Sequence, residues 1–303
     1  MTARLFVPRD AAARAVGADR VAATIEAEAR RLGRGIQVVR TGSRGLFWLE
    51  PMIEVETSRG RIAFGPVAPQ DVPELVAGDF NVGHRLHLGR PEDLPFLKRQ
   101  TRVTFARCGI TDPLSLADYR GHGGGRGLER ARSLGAAKTI EQVTKSGLRG
   151  RGGAGFPTGI KWKTVADTLA DRKYVVCNAD EGDSGTYADR MIMEGDPFLL
   201  IEGMAIAGFA VGATKGYVYI RSEYPDAVRI MERAILLAEA GGLLGAEAKF
   251  EVEVRVGAGA YVCGEETSLL DSLEGKRGQV RAKPPLPAHK GLFGKPTVMN
   301  NAI

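Results

Sequence analysis

Between residues 173 and 256 the chain alternates strand-like and helix-like runs, and that order restricts the fold more tightly than any other feature. Residues 173–177, 216–221 and 250–256 are short apolar runs of strand length, whereas 198–211 and 225–240 have the length and periodicity of helices. A strand–helix–strand–helix–strand order closes into a parallel sheet through right-handed crossovers. The predicted class is therefore α/β, with a Rossmann-like parallel-sheet domain. In such sheets ligands gather beyond the carboxyl ends of the strands.

The first 80 residues read as a separate unit. A strand at 4–7, an amphipathic helix at 11–32 closed by Gly33, a strand at 36–40, a hairpin of 53–56 and 61–64, and a helix at 69–76 follow in order. A βαβ unit followed by a hairpin and a helix predicts a small thioredoxin-like domain at 1–80. Residues 81–130 are expected to be a linker with helices, interrupted by Gly121-His-Gly-Gly-Gly125, and residues 131–303 a ligand-binding domain. With 303 residues and 44% hydrophobic content, the chain is long enough for two cored domains.

Residues 150–159 carry five glycines and lead into Lys161. Without Cβ atoms, backbone N–H groups can approach a phosphate or a flat ring closely. Gly150, Gly152 and Gly155 satisfy G-x-G-x-x-G, but a helix-like segment at 139–147 precedes them where the dinucleotide fingerprint needs a strand. The Walker A pattern fails too, because Ile160 separates Gly159 from Lys161 and no Ser or Thr follows the lysine. A third kind of nucleotide loop is implied.

The first of the three strands runs into Asn178, Asp180, Glu181 and Asp183, and the third into Tyr261, Gly264, Glu265 and Glu266. Carboxylates gathered at one sheet edge repel naked phosphate, so they should meet hydroxyls, ring N–H groups or a cation. Ribose and ribityl hydroxyls fit, although Glu265 and Glu266 also open a helix at 267–273, where negative charge is favourable in itself. Phosphate must then find donors in Lys161, the glycine-loop N–H groups, Asn300 and Asn301, with Lys283 or Arg281 for a second phosphate. Phe156 either stacks on a flat ligand or packs the loop.

Other chemistries are disfavoured. The three cysteines, Cys108, Cys177 and Cys263, cannot supply the four thiolates usual for an iron–sulfur cluster and read as small buried hydrophobes. His84 and His87, spaced H-x-x-H without a cysteine or carboxylate beside them, read as a solvated surface pair, so no metal ligands are predicted. The net charge of +6 is spread along the chain without a compact basic run, which argues against a nucleic-acid partner. The most hydrophobic stretch, 198–213, is interrupted by Glu202 and falls short of a membrane span. No secretory apolar segment follows Met1, and a cytoplasmic location is expected.

Five motifs in order then carry a family resemblance. They are Ser-Gly-Leu-Arg-Gly-Arg-Gly-Gly-Ala-Gly-Phe-Pro-Thr-Gly at 146–159, Cys-Asn-Ala-Asp-Glu at 177–181, Tyr-Ile-Arg-Ser-Glu-Tyr-Pro at 219–225, Gly-Ala-Gly-Ala-Tyr-Val-Cys-Gly-Glu-Glu-Thr at 257–267 and Gly-Leu-Phe-Gly-Lys-Pro-Thr-Val-Met-Asn-Asn at 291–301. Over about residues 110–301 the chain resembles the NADH-binding flavoprotein subunit of respiratory complex I. Soluble relatives of that subunit are the diaphorase subunits of NAD-reducing hydrogenases and of NAD-dependent molybdenum formate dehydrogenases. The resemblance implies FMN in the glycine loop, NAD(H) stacked on its ring and hydride exchange between them. It places FMN against Gly150, Arg151, Gly152, Lys161, Asn178, Asp180, Glu181, Tyr261, Gly264, Glu265, Asn300 and Asn301. It places NAD(H) near Gly153, Phe156, Asp183, Glu266 and Lys283, with Glu181, Asp183 and Glu266 as the catalytic carboxylates.

The chain departs from that family in specific places. Asp183 stands where relatives often have glutamate, and Thr164 and Leu286 where some have aromatics around the adenine. The family's ubiquitin-like and [4Fe-4S]-holding domains follow the paired asparagines, and this chain supplies no ligands for that cluster. In the first unit, residues 41–51 resemble the C-x-x-x-C stretch of thioredoxin-like [2Fe-2S] domains, with Ser43 and Phe47 at the ligand positions. Neither side chain can replace a thiolate. A fused unit that has lost its cluster resembles the flavin subunit of soluble NAD-dependent formate dehydrogenases, less closely that of NAD-reducing hydrogenases. The implied partners are an iron–sulfur subunit and a molybdenum-containing catalytic subunit.

Overall fold

A computed structural model describes residues 2–246 and 248–303, which form two compact units. The first comprises Met1–Pro113 together with Glu194–Asp196. Its elements are β1 (Ala3–Pro8), α1 (Ala11–Ala15), α2 (Ala18–Arg31), β2 (Ile36–Thr41), β3 (Ile53–Thr57), β4 (Gly60–Phe64), α3 (Val72–Ala77), β5 (His87–Gly89) and α4 (Pro95–Lys98). The sheet order is β2-β1-β3-β4-β5; β1 and β2 run parallel and the remaining pairs antiparallel. This is the expected thioredoxin-like arrangement.

The single helix expected at 11–32 is two helices. Asp10 caps the first by accepting from the N–H groups of Ala12 and Ala13, and Gly17, at φ 104°, breaks the run before the second. A side chain in that left-handed conformation is strained, so the glycine sets the break. Helix α2 then buries Ala18, Val21, Ala22, Ile25 and Ala29, a stripe at helical spacing against the sheet. The unit continues past residue 80 to Pro113 because β5 pairs with β4 and the Arg61 guanidinium donates to the carbonyls of Gly109 and Ile110 at 3.2 and 2.7 Å.

Hydrogen bonds hold the loop after β2. The Ser43 hydroxyl donates to Glu50 Oε1 at 2.6 Å and accepts from Gly45 N–H at 2.9 Å, while Glu50 Oε2 accepts from Met52 N–H at 2.9 Å. Burial, reinforced by the charge of Asp10, pushes the Glu50 carboxyl up to about 8. Phe47 is 40% exposed; its carbonyl accepts from Glu50 N–H at 3.3 Å, but its side chain takes no part in the staple. His84 and His87 are not solvated as expected: both rings pack edge-on to Phe64, at 6.4 and 5.5 Å between centroids, and Leu86 N–H donates to His84 Nδ1. Core aromatics can hide an H-x-x-H pair that spacing alone assigns to the surface.

The second unit comprises Leu114–Met193 and Pro197–Ile303. It contains α5 (Leu116–Gly121), α6 (Arg126–Leu134), α7 (Ala136–Lys145), α8 (Thr158–Asp167), β6 (Tyr174–Ala179), all but the last two residues of α9 (Ala188–Gly195), α10 (Pro197–Val211), β7 (Lys215–Ile220), α11 (Pro225–Ala240), β8 (Glu251–Val256), α12 (Glu266–Leu273), α13 (Pro287–Lys290) and β9 (Thr297–Asn301). Its sheet is wholly parallel, in the order β8-β7-β6-β9. Strand β6 is buried along its whole length, as a central parallel strand covered on both faces should be. The fourth strand, β9, is not among those expected from the alternation, and it matters because it carries Asn300 and Asn301 to the same edge as Asn178.

Helix α10 is apolar all round apart from Glu202, whose buried carboxylate accepts from the Tyr119 hydroxyl and from the N–H groups of Gly125 and Leu128. Two backbone donors at the start of α6 are thereby satisfied, which explains an acid inside the core. Among the described residues no helix is long and apolar enough to cross a membrane.

Candidate functional site

The glycine loop is a closed turn joining α7 to α8. Its base is pinned by Thr158 N–H on Leu148 O and Gly150 N–H on Phe156 O, both at 2.9 Å, and Arg149 Nε donates to Gly155 O at 2.6 Å. The loop lies against the end of β9. A methyl group at Gly152 would come within 2.9 Å of Asn301 Oδ1, so a side chain there requires the Asn301 amide to move.

Asn178, at the end of β6, ties the opposite side together. Its Nδ2 donates to Gly264 O at 2.8 Å and its Oδ1 accepts from Asp180 N–H at 3.1 Å. Glu265 caps α12, accepting from Thr267 and Ser268 N–H at 2.8 and 2.9 Å. Burial alone would raise its carboxyl. The Thr267 hydroxyl, the Ser268 N–H and Lys283 outweigh burial and hold it down at about 2. Lys283 also reaches Glu266 at 2.7 Å.

Between these segments lies a cavity of about 470 Å³, within the range of roughly 300–1,000 Å³ typical of cofactor sites. Gly150, Gly152 and Phe156 line it from the glycine loop, together with Lys161 of α8 and Asn178 of β6. Gly264, Glu265, Glu266, Lys283, Asn300 and Asn301 line it as well. Lys161 Nζ donates to Met299 O at 2.5 Å, and burial, opposed by the charge of Glu266, lowers its pKa. The lining thus offers both donors and carboxylate acceptors.

Six of the expected residues do not line the cavity: Arg151, Gly153, Asp180, Glu181, Asp183 and Tyr261. Glu181 is turned inward. Its carboxylate accepts from Ala188, Asp189 and Arg190 N–H and from the Tyr224 hydroxyl at 3.1 Å, capping α9. Burial and the Glu181 charge push Asp189 up to about 7, and burial pushes Asp180 up to about 6 against the pull of Arg221. The Tyr261 ring lies on the backbone of Gly182, where a methyl group would meet it at 2.7 Å, and its hydroxyl donates to Asp183 at 2.9 Å. Arg281 is engaged by Asp271 at 2.6 Å and Glu274 at 3.0 Å and lines a different cavity, so of the two cations expected for a second phosphate it is Lys283 that joins Lys161 at the site.

Sequence reasoning missed Met299, Pro287, Ala288 and His289, which also line the cavity; Thr164 and Leu286, singled out for the adenine, do line it. The apolar run Thr297-Val-Met after Lys295-Pro296 is a strand signal that would have found β9 and, with it, Met299. Nothing comparable marks His289. The buried thiols of Cys108, Cys177 and Cys263 match expectation, and among the described residues no cluster of His, Cys, Asp or Glu could hold a metal.

Residues 143–303, more than half of the chain, match the Nuo51 FMN-binding domain. The chain belongs to this family. FMN is accordingly the cofactor of the domain, and the cradle formed by Gly152 against Asn301 suits it. Two of the curated relatives that this Nuo51-type chain resembles are parts of larger enzymes. The NADP-reducing hydrogenase subunit HndC of Solidesulfovibrio fructosivorans is 50% identical over 67% of this chain and 42% of its own length. A NADH-quinone oxidoreductase subunit of Rhizobium meliloti (strain 1021) is 52% identical over 66% of this chain and 49% of its own. The Nuo51-type chain thus spans about half the length of the curated relatives it matches. A crystal structure of a NAD+-reducing [NiFe]-hydrogenase in the H2-reduced state superposes with a TM-score of 0.57 at 27% identity, covering 99% of this chain and 50% of that one.

Proposed function

We propose that this chain is the flavin- and dinucleotide-binding module of a multi-subunit oxidoreductase, in which NAD(H) and FMN exchange a hydride. The observation that carries the reading is one cavity lined both by donor side chains, Lys161 and Asn300, and by carboxylate acceptors, Glu265 and Glu266. Bound FMN supplies the hydride chemistry and the division of an electron pair into single electrons. The protein binds and orients. The glycine loop lets backbone come close to the ring, and the two glutamates, paired with Lys283, accept from ribityl and ribose hydroxyls. Lys161 and the asparagine amides offer donors to phosphate or ring oxygens. Phe156, 44% exposed on the loop wall, presents a face on which a second flat ring can stack. Asp183 and Tyr261, joined beyond the cavity, are assigned to the approach of the dinucleotide.

The larger assembly is proposed to be a NAD-dependent formate dehydrogenase, with an iron–sulfur subunit and a molybdenum-containing subunit as partners. Support comes from the fused first unit, whose stapled loop carries Ser43 and Phe47 in place of cluster ligands. A hydrogenase setting is the second reading, favoured by the NAD+-reducing hydrogenase that covers nearly the whole chain. Purification of the tagged native complex, followed by assays of formate-dependent and hydrogen-dependent NAD+ reduction, separates them. Formate activity without hydrogen activity is expected; the reverse assigns the chain to a hydrogenase, and neither, with a chain that takes no FMN, leaves a docking scaffold.

A further inference from the structure

Resting on the reading that the cavity holds FMN, we propose that Trp162 is a positioning residue: it fixes the side-chain amide of Asn300 so that the amide's N–H groups face the flavin. Trp162 lies on α8, only 8% exposed, and its indole Nε1 donates to Asn300 Oδ1 at 3.2 Å. The preceding residue, Lys161, donates to the carbonyl of Met299. Two adjacent donors on one helix therefore hold two consecutive residues of β9, and the grip sets the end of that strand at the cavity wall.

The direction of the amide follows from the chemistry of its partner. An indole N–H can only donate, whereas an asparagine amide offers one acceptor oxygen and two N–H donors. With Oδ1 held by Trp162, Nδ2 is the end left for the cavity, which Asn300 lines, and among the described residues no protein acceptor meets it. Rotating the amide would leave the indole N–H of a buried residue unpaired, a cost that resists the flip. The cavity therefore presents donors, suited to a phosphate oxygen or a ring carbonyl, at a position where a free asparagine could equally present an acceptor. Trp162 is not itself a cavity-lining residue, so its influence passes through Asn300.

The test is a double-mutant cycle in the full-length chain, read as the FMN dissociation constant from flavin fluorescence. Trp162→Phe keeps the ring in the core and removes only the N–H; it should weaken FMN binding about tenfold, the scale of one hydrogen bond lost from a buried polar group. In an Asn300→Ala background the same change should have little further effect. Equal affinity of W162F and wild type overturns the inference, and so does a full effect that persists in the N300A background, because packing alone would produce it. Asn300→Asp leaves α8 untouched. With one oxygen held by the indole, its other oxygen faces the cavity, so N300D should bind FMN at least tenfold more weakly than N300A; binding as tight as N300A overturns the inference even if W162F does not fold. A wild-type chain that takes no FMN would overturn the functional reading and this inference together, whereas the other outcomes leave the functional reading standing.

Discussion

The ammonium of Lys283 stands 2.7 Å from the carboxylate of Glu266, and it reaches Glu265 as well, so one cation serves two acids at the cavity wall. Removing one acid or the cation changes the local charge by one unit at the place assigned to the cofactors. Glu266→Gln should make a reduced, negatively charged flavin easier to form and move the flavin midpoint potential upward, as read by spectroelectrochemical titration. Lys283→Met should move it downward. Shifts of the same sign in both variants would contradict the electrostatic role.

Gly152 faces the side-chain amide of Asn301, and a methyl group at 152 would displace it. Because Asn301 lines the cavity, Gly152→Ala should weaken FMN binding about tenfold and lower stability in urea by no more than the roughly 1–3 kcal/mol typical of overpacking. An unchanged FMN dissociation constant would mean that the loop yields and does not shape the cradle.

Glu181 is expected to act on stability. Four donors converge on its carboxylate, so Glu181→Ala should cost about 1–3 kcal/mol in urea unfolding, with loss of helix signal from α9. If E181A kept full stability and lost only the rate of NADH oxidation by an artificial acceptor, the carboxylate would belong to the chemistry instead.

The buried Glu50 carboxyl should make stability depend on pH. Its folded pKa, about 8, lies above the unfolded value of 4.5, so the unfolded chain binds fewer protons between those values. Stability is full below the unfolded pKa and is lost as pH rises toward the folded one, by up to about 1.4 kcal/mol per pH unit. Asp180 and Asp189 are raised as well and add slope in the same sense. The informative quantity is therefore the difference between wild type and Glu50→Gln in urea unfolding from pH 5 to 8. The variant should show the shallower slope, and parallel slopes would place the Glu50 proton elsewhere.

Both architectures were legible in the chain because periodicity and glycine placement report them directly: the strand–helix alternation fixes a parallel sheet, and βαβ plus a hairpin fixes the first unit. What periodicity cannot report is a side chain's destination. Asp180 and Glu181 lie two and three residues after Asn178, yet of the three Asn178 lines the cavity; the N–H groups that open α9 draw the Glu181 carboxylate inward. Arg281 and Lys283, two residues apart, serve different acids for the same kind of reason. Thr297–Asn301 is strand-like in composition, but its membership of the sheet rests on pairing with β6, a contact more than a hundred residues distant.

The most direct test of the account is anaerobic addition of NADH to the full-length chain loaded with FMN, followed through the visible absorbance of the flavin. Rapid, stoichiometric bleaching that air restores is the predicted result. A chain that binds FMN in the cavity yet leaves it oxidised by excess NADH and NADPH would contradict hydride exchange at this site.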